Sequence, residues 1–271
     1  MQALLHSLWN NHSTLLQIFL FLGVIILIWV AELHNALVDA KEKWRHSRVN
    51  LLFITTALPI QLSLSALVIL VSGWVTIHHW GLLYLLPGTT YGWLKYLIAF
   101  LLLDFCEYVY HVLMHKTPKF WNFHLIHHSD EEVDVSTTLR EHPCETFIRV
   151  CFLMVWVFLS GASIGVLLLR QTIQTVANLT AHSNYKIPVK IERICQLLFI
   201  TPRLHQVHHH FELPYTDCNY GDVFCIWDRL FGTYREMPEE DIKFGVDNYQ
   251  NYSSSDFKAL IQHPFLEKKN K

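Results

Sequence analysis

The sequence predicts an all-α protein: a multi-pass membrane helical bundle of about three spans plus a helical hairpin, with a histidine-rich helical cap on the cytoplasmic side. Apolar residues make up 52% of the 271 residues and charged residues only 16%, against about 25% charged residues in soluble domains. Several long stretches carry no charged side chain, and many of the 18 histidines recur at helical spacing. The formal net charge of -2 with neutral histidines excludes a strongly basic nucleic-acid-binding protein.

Three stretches are apolar and long enough to cross a bilayer. Residues 1–31 contain no Asp, Glu, Lys or Arg, and because they lack a positive leader and a cleavage site they predict an uncleaved first span. Leu51 to His79 predicts a second span and Tyr91 to His115 a third, each able to cross about 30 Å of hydrocarbon. Pro87-Gly88 breaks the chain between these two. The basic run KEKWRHSR at 41–48 predicts a loop.

A helical hairpin is predicted after the third span. Residues 147–181 are mainly apolar, and the sequence SGAS at 160–163 interrupts them. Each arm is shorter than the about 20 residues of a full span, so the pattern predicts a hairpin that dips into the bilayer, or two tight short spans. From His182 onward the chain is polar and predicts a soluble-like segment, with an irregular surface tail from about Glu236.

Basic side chains indicate the orientation. They follow the first and third spans, whereas the N-terminus and the 80–92 loop have none. The positive-inside rule therefore places 41–48 and 116–149 in the cytoplasm. We expect an integral membrane protein with its site on the cytoplasmic side, in a bacterial inner membrane or, in a eukaryote, the endoplasmic reticulum. The final KKNK resembles a dilysine retrieval signal, although we interpret it as a solubilising tail.

Nine histidines have the spacing of metal ligands. Residues three or four apart share a helical face, so His111 and His115 point the same way, and each of the two H-x-x-H-H blocks is expected to present one face. Neutral imidazole binds iron, zinc, copper and nickel. Nine rings are too many for one tetrahedral ion and predict two five- or six-coordinate ions. The predicted ligands are His111, His115, His124, His127, His128, His182, His205, His208 and His209.

Other polar residues are expected to ligate a metal or to support the ligands. Ligating imidazoles usually donate their second N–H to a carboxylate or carbonyl. The possible ligands or outer partners are Asn178, Asp104, Glu107, His142 and Asp217. Further candidate acceptors, for which a solvated charge or a helix cap is the alternative, are Asp130, Asp134, Glu141 and Asp222.

Other kinds of site find no support in the sequence. None of the six cysteines forms a C-x-x-C motif, which argues against thiolate zinc and iron–sulfur sites. There is no G-x-S-x-G motif of a serine hydrolase and no G-x-G-x-x-G motif of a nicotinamide or flavin domain.

The histidine boxes resemble those of the fatty acid hydroxylase/sterol desaturase superfamily, in particular its bacterial branch. The matching motifs, over roughly residues 95–240, are D-x6-H-x3-H (104–115), F-W-x-F-H-x2-H-H-S (120–129), D-x-S-T-x2-R-x-H-P-x-E (134–145), N-x3-H-S-N (178–184), T-P-R-x-H-x2-H-H (201–209) and N-Y-G-x5-W-D-R-L-F-G-T-Y (219–234). Val112 departs from the family pattern, since many members carry Arg after the first histidine.

The resemblance implies a membrane-bound di-iron oxygenase that uses O2 and external electrons to hydroxylate or desaturate a fatty acyl, sterol or related lipid. It implies two irons held by the nine histidines, no catalytic residue beyond these ligands, and ferredoxin or cytochrome b5 with a reductase as electron donor. The alternatives are a membrane metal-binding or transport protein and an inactive scaffold that retains a structural metal. Trp121, Trp227 and Tyr234 either line the mouth of a lipid channel or form an interfacial belt, which we favour.

These expectations divide the chain into three regions. Residues 1–92 form an N-terminal transmembrane region with two spans and an external loop. Residues 93–240 form the di-iron domain, including the membrane hairpin 147–181, whose apolar arms would wall a lipid channel. Residues 241–271 form a C-terminal cytoplasmic tail.

Overall fold

The computed structural model describes residues 23–33, 40–87, 92–246 and 254–266, and most of these residues are helical. Short 3-10 turns connect several helices, and the described residues contain no β-strand beyond two isolated bridges. The helices are α1 (Gly23–Leu33), α2 (Ala40–Ile77), α3 (Gly92–Lys116), α4 (Pro118–His128), α5 (Pro143–Ser160), α6 (Ile164–His182), α7 (Val189–Cys195), α8 (Pro202–His208), α9 (Ile226–Phe231) and α10 (Phe257–Gln262).

Three of the helical segments have the length and apolar composition to cross a membrane. They are Ala40–Tyr84, Gly92–Lys116 and Pro143–Ser160. The prediction of an all-α membrane bundle is therefore confirmed. The third predicted span agrees with α3 to within one residue at each end. The predicted first span lies largely outside the described residues, and α1 is its described part.

The hairpin prediction is confirmed at the level of its turn. Helix α5 ends at Ser160, where Gly161 adopts a left-handed conformation with φ of 78°, and α6 begins at Ile164. A Cβ atom on Gly161 would collide with the carbonyl oxygen of Trp80, so this glycine allows the turn to pack against the end of α2. The hydroxyl of Ser72 donates to the carbonyl of Ala162 at 2.9 Å, which fixes the same contact.

The expected basic loop at 41–48 is wrong, because these residues are the first turns of α2. The helix has 38 residues, or about 57 Å at 1.5 Å per residue, longer than the about 30 Å of hydrocarbon. Lys43 is buried there, with its ammonium 2.7 Å from Glu32 and 2.6 Å from Asp134. These partners let the basic run continue the helix into packed protein.

A buried arginine ties the histidine end of the bundle together. The Arg140 guanidinium donates to the carbonyls of Ile126 (2.8 Å) and Ser254 (2.8 Å), the hydroxyl of Ser129 (2.9 Å) and the side-chain oxygen of Asn50 (3.1 Å). One side chain therefore joins α2, α4 and the C-terminal segment.

The prediction of an irregular surface tail is wrong for residues 254–266. Helix α10 packs inward, and Leu260 is fully buried against a core cluster that includes Phe53 and Ile126. The carbonyl of Ile261 also accepts from the ring of His142 at 3.1 Å. The final KKNK lies outside the described residues.

The soluble-like character expected from His182 onward is also wrong in part. Large apolar side chains of α7, of residues 197–199 and of α9 are exposed. The sequence did not predict these exposed apolar residues, because they are separated along a polar stretch and become neighbours only in the folded chain.

Candidate metal centre

The structure brings all nine predicted histidines together in two groups. In each group, one ring nitrogen per residue lies within 4.8 Å of the others. The first group is His111, His115, His124, His128 and His208. The second group is His127, His182, His205 and His209.

Each H-x-x-H-H block divides between the two groups, so the expectation that a block presents a single face is wrong. His124 and His128 belong to the first group and His127 to the second. In the other block His205 and His209 belong to the second group and His208 to the first. Adjacent helical residues diverge by about 100°, whereas residues four apart nearly overlap. Each block therefore supplies an i, i+4 pair to one group and a single ring to the other.

The two groups are in direct contact. The rings of His128 and His209 stack with centroids 4.5 Å apart, and those of His208 and His205 stack with centroids 5.2 Å apart. Ions held by the two groups would therefore be neighbours.

Main-chain carbonyls orient three of the rings. Nδ1 of His111 donates to the carbonyl of Tyr220 at 2.9 Å, and Nδ1 of His208 donates to that of Cys218 at 2.7 Å. Nδ1 of His182 donates to the carbonyl of Asn178 at 2.9 Å. Because the outer nitrogen carries the proton, Nε2 of each ring directs its lone pair inward.

Two carboxylates face the outer side of the first group. Oε1 of Glu145 accepts from Nδ1 of His124 at 2.6 Å, and both side chains are buried. Asp217 lies 3.3 Å from Nδ1 of His115 and pairs with Lys116 at 2.6 Å. Sequence reasoning missed Glu145, although it ends the R-x-H-P-x-E run and lies in the first turn of α5.

The inward nitrogens are the atoms that a cation would satisfy. Nε2 of His115, Nε2 of His208 and both ring nitrogens of His128 are buried without a hydrogen-bond partner. Buried polar atoms without partners are rare in proteins. In the second group Nε2 of His182 lies 3.0 Å from Nε2 of His127 and 2.9 Å from Nε2 of His205. Imidazole lone pairs that converge in this way fit metal ions.

Burial keeps these rings neutral. Desolvation lowers the pKa of His124 to about 3. For five further histidines of the two groups, desolvation is the largest cause and the neighbouring imidazoles the next, and together they lower the pKa well below its usual value. These are His127, His128, His205, His208 and His209. The neutral ring is the form that binds metal.

The expected outer partners lie close to the groups but play several parts. Asp104 accepts from the indole of Trp227 at 2.7 Å, and Glu107 pairs with Arg170 at 2.6 Å. The side-chain amide of Asn178 donates to Asp222 at 2.6 Å, while its carbonyl orients His182.

Three further candidates are used in packing. His142 caps α5, where Nδ1 accepts from the amide of Cys144, so it stands apart from both groups. Asp130 accepts from His46, and Glu141 pairs with Arg149.

Two aromatic rings wall the first group. Trp121 lies 4.9 Å from His115 and 5.3 Å from His128, centroid to centroid. Tyr220 lies 5.0 Å from His115 and 5.6 Å from His111. Trp227 and Tyr234 do not make these contacts: Trp227 binds Asp104, and Tyr234 lies under the guanidinium of Arg229 at 3.8 Å.

An apolar helical bundle with two adjoining histidine groups defines a class of membrane protein with a candidate metal centre. The family model described as fatty acid hydroxylase matches residues 96–233, just over half of the chain, and the protein belongs to this family. No solved structure matches the chain.

The curated relatives that the chain matches are named as hydroxylases and monooxygenases. Ornithine lipid hydroxylase OlsE of Rhizobium tropici is 29% identical over 175 residues, covering 64% of this chain and 51% of the relative. Alkylglycerol monooxygenase of Homo sapiens is 30% identical, covering 62% and 36%. Cholesterol 25-hydroxylase of Homo sapiens is 28% identical, covering 51% and 50%. The chain thus spans about half or less of the length of these relatives.

Proposed function

We propose that this protein is a membrane-bound di-iron oxygenase that hydroxylates a lipid, using O2 and electrons from an external donor. The observation that carries the proposal is the pair of adjoining histidine groups, five rings and four, at the end of helices apolar enough to cross a membrane. Hydroxylation is favoured over desaturation because the relatives described above are hydroxylases and monooxygenases.

The nine histidines would hold the metals, and iron fits their chemistry. Imidazole suits iron, and neither group contains a thiolate or a carboxylate. Two bound irons would supply the oxidising power for O2 to attack an unactivated C–H bond. In the balanced reaction one oxygen atom enters that bond and the other leaves as water, with two electrons and two protons supplied from outside.

The remaining residues of the site would position the ligands. Glu145 and the carbonyls of Tyr220, Cys218 and Asn178 fix four rings through their outer nitrogens. Such partners set the ring orientation and increase ligand basicity. Trp121 and Tyr220 would keep water from the first group, because their rings cover it.

An open apolar groove supports a lipid substrate. It has a volume of about 400 Å³ and lies between α2, α4 and α5. Its lining includes no charged side chain and consists of Ile60, Phe123, Pro143, Cys144, Phe147 and Ile148. Phe123 directly precedes His124 in α4, so the groove borders the helix that carries three of the nine histidines and could hold an acyl chain.

The partners and location follow from the same reading. We propose ferredoxin, or cytochrome b5 with a reductase, as the donor, because the family resemblance implies an external donor and this sequence has no G-x-G-x-x-G motif of a nicotinamide or flavin domain. The basic residues after the first and third spans support a site on the cytoplasmic side of a bacterial inner membrane.

The test replaces one ligand in each group. We expect His127→Ala and His208→Ala to abolish lipid hydroxylation while the protein remains inserted in the membrane. The matched control is His210→Ala, since His210 continues the same run but belongs to neither group and accepts instead from the amide of Lys243. Activity is read by mass spectrometry of total membrane lipids, where hydroxylation adds one oxygen and desaturation removes two hydrogens. Activity retained by either ligand variant would contradict the proposal.

A metal-transport protein is the alternative class. It would need ligands along the membrane path, yet the histidines of both groups lie at one end of the bundle, and residues 51–77 of α2 supply none of them. Metal flux into vesicles without lipid-dependent O2 consumption would favour transport.

A further inference from the structure

Apart from the long helices, the described chain exposes a further group of apolar side chains, which belong to α7, to residues 197–199 and to α9. We define the apolar patch as Ile194, Leu197, Leu198, Phe199, Leu230 and Phe231. Ile194 is 69% exposed and Leu197 70% exposed, and the other four residues are exposed as well. Contiguous apolar surface of this kind usually marks an interaction site.

Contacts with α3 give the height of the patch along the bundle. The ring of Phe199 stacks on Phe224 at 5.4 Å, and Phe224 lies 6.0 Å from Phe100 of α3. The ring of Phe231 lies 5.8 Å from Phe105 of α3. The patch is therefore level with residues 100–105 of the helix.

This level lies inside the hydrocarbon wherever α3 crosses the bilayer. The helix has 25 residues, or about 37 Å at 1.5 Å per residue, against about 30 Å of hydrocarbon. A 30 Å layer that falls entirely within the helix must include its central 15 residues, 97–111. Residues 100–105 are in this central part, and the patch at the same height meets acyl chains rather than water.

The chain reaches this depth by an excursion that starts and ends at the second histidine group. His182 ends α6 and His205 lies in α8, and their ring centroids are 4.2 Å apart. Between them the chain extends along the bundle as far as Ile200, at the level of Asp104 of α3. The amide of Ile200 donates to the carbonyl of Val223 at 3.0 Å, and the amide of Val223 donates to Asp104 at 3.2 Å. Entry and return are on the same side, so the segment dips and does not cross.

The backbone amides of the apolar part of the excursion have partners within the protein, as a lipid environment requires. The amides of residues 196–200 all donate to carbonyls of the protein, including Phe199 to Cys195 at 2.8 Å. The carbonyl of Gln196 accepts from Arg229 at 2.8 Å, and its side-chain amide donates to Thr201. Residues 194–200 carry no charged side chain.

Charged groups flank the excursion at its shallow end. Lys190 and Arg193 are exposed on α7, where their long side chains can extend to the headgroups. The intervening Glu192 is buried and accepts from the amide of Arg203, so the exposed charge there is basic. Basic side chains beside an apolar surface suit the headgroup boundary of a bilayer.

We propose that residues 189–199 and α9 form a monotopic insertion whose apolar patch lies among the acyl chains of the leaflet nearer the histidine groups. The insertion depends on membrane crossing by α3 and not on bound metal or on the proposed reaction. Because the excursion that contains residues 189–199 starts at His182 and ends at His205, the insertion places one side of the second histidine group next to the membrane.

Photo-crosslinking tests the insertion. p-Benzoylphenylalanine is placed at position 197, where the native leucine is exposed and the added ring need not disturb packing, and the full-length protein is irradiated in native membranes. The matched control places it at position 240, where Glu240 is exposed in the 3-10 turn Glu239–Asp241. We expect mass spectrometry to find at least tenfold more phospholipid adduct at 197 than at 240. Equal lipid adduct at both positions would place the patch in water and overturn the proposal. A crosslink from 197 to a second copy of the chain, or to another protein, without lipid adduct would also overturn it.

Discussion

The contact between Glu145 and His124 gives a sharp test of how the centre holds metal. We expect Glu145→Gln to weaken metal binding while the protein stays folded, because the substitution keeps the size of the side chain and removes its charge. The 2.6 Å bond joins side chains that are only 5% and 7% exposed, so water cannot replace the lost charge. Charge-assisted hydrogen bonds are roughly twice as strong as neutral ones.

The magnitude follows from that geometry. Loss of an outer partner of a ligating histidine typically costs 10- to 100-fold in metal affinity, or about 1.4 to 2.8 kcal/mol. His124 is one of five rings in its group, and the glutamine amide oxygen can still accept from Nδ1. We therefore expect about tenfold for Glu145→Gln and about 100-fold for Glu145→Ala, which removes the acceptor.

The assay measures metal retained by purified protein against increasing chelator concentration. Glu141→Gln is the matched control: Glu141 lies in the same sequence run but pairs with Arg149 and contacts no ligand. We expect the control to stay within about threefold of the unmodified protein, below the range for a lost outer partner.

A double-mutant cycle separates positioning from a general loss of structure. If Glu145 acts through His124, then Glu145→Gln should have no further effect on metal affinity once His124→Ala is present. Unchanged affinity in Glu145→Gln, or full additivity in the double variant, would refute the reasoning.

Three further predictions concern stability. The pKa of His124 is about 3 when the ring is buried and about 6.5 when the chain is unfolded, so the unfolded state binds more protons below pH 6.5. As pH falls toward 3, the free energy of unfolding of metal-free protein should decrease by about 1.4 kcal/mol per pH unit from this ring alone. Denaturation in detergent measures this, and a stability that does not change with pH would contradict it. Arg140→Lys should lower the free energy of unfolding by about 3 kcal/mol because it breaks a buried hydrogen-bond network. The control Arg45→Lys, at an exposed position of α2, should leave the melting temperature unchanged. Equal melting temperatures for the two variants would show that the network contributes little. Gly161→Ala should lower the free energy of unfolding by at least about 1 kcal/mol, since φ is positive and the methyl group would meet the Trp80 carbonyl. The control Gly73→Ala, at a position with open space around it, should be neutral or stabilising. An unchanged stability in Gly161→Ala would contradict the packing of this turn.

The histidine set was predictable because ligand spacing along a helix is a local property. The sequence predicted all nine members of the two groups. It did not predict how they divide, because the i+3 ring of each block, His127 or His208, joins the other group only when α4 and α8 meet. Their ligand role, the membrane side and the domain boundaries stay predictions.

The missed features depend on contacts between distant parts of the chain. Lys43 reads as a loop residue until Asp134, 91 positions away, is seen to pair with it. Likewise Leu260 reads as part of a polar tail until α10 packs on Phe53. The apolar patch was not predicted because its residues belong to two short segments, which come together only when both pack against α3.

Metal content with iron X-ray absorption tests the central claim most directly. The purified full-length protein should contain two irons per chain, each surrounded by nitrogen and oxygen donors with the scattering of imidazole. One ion per chain, zinc in place of iron, or sulfur among the nearest neighbours would contradict a centre built from these nine histidines.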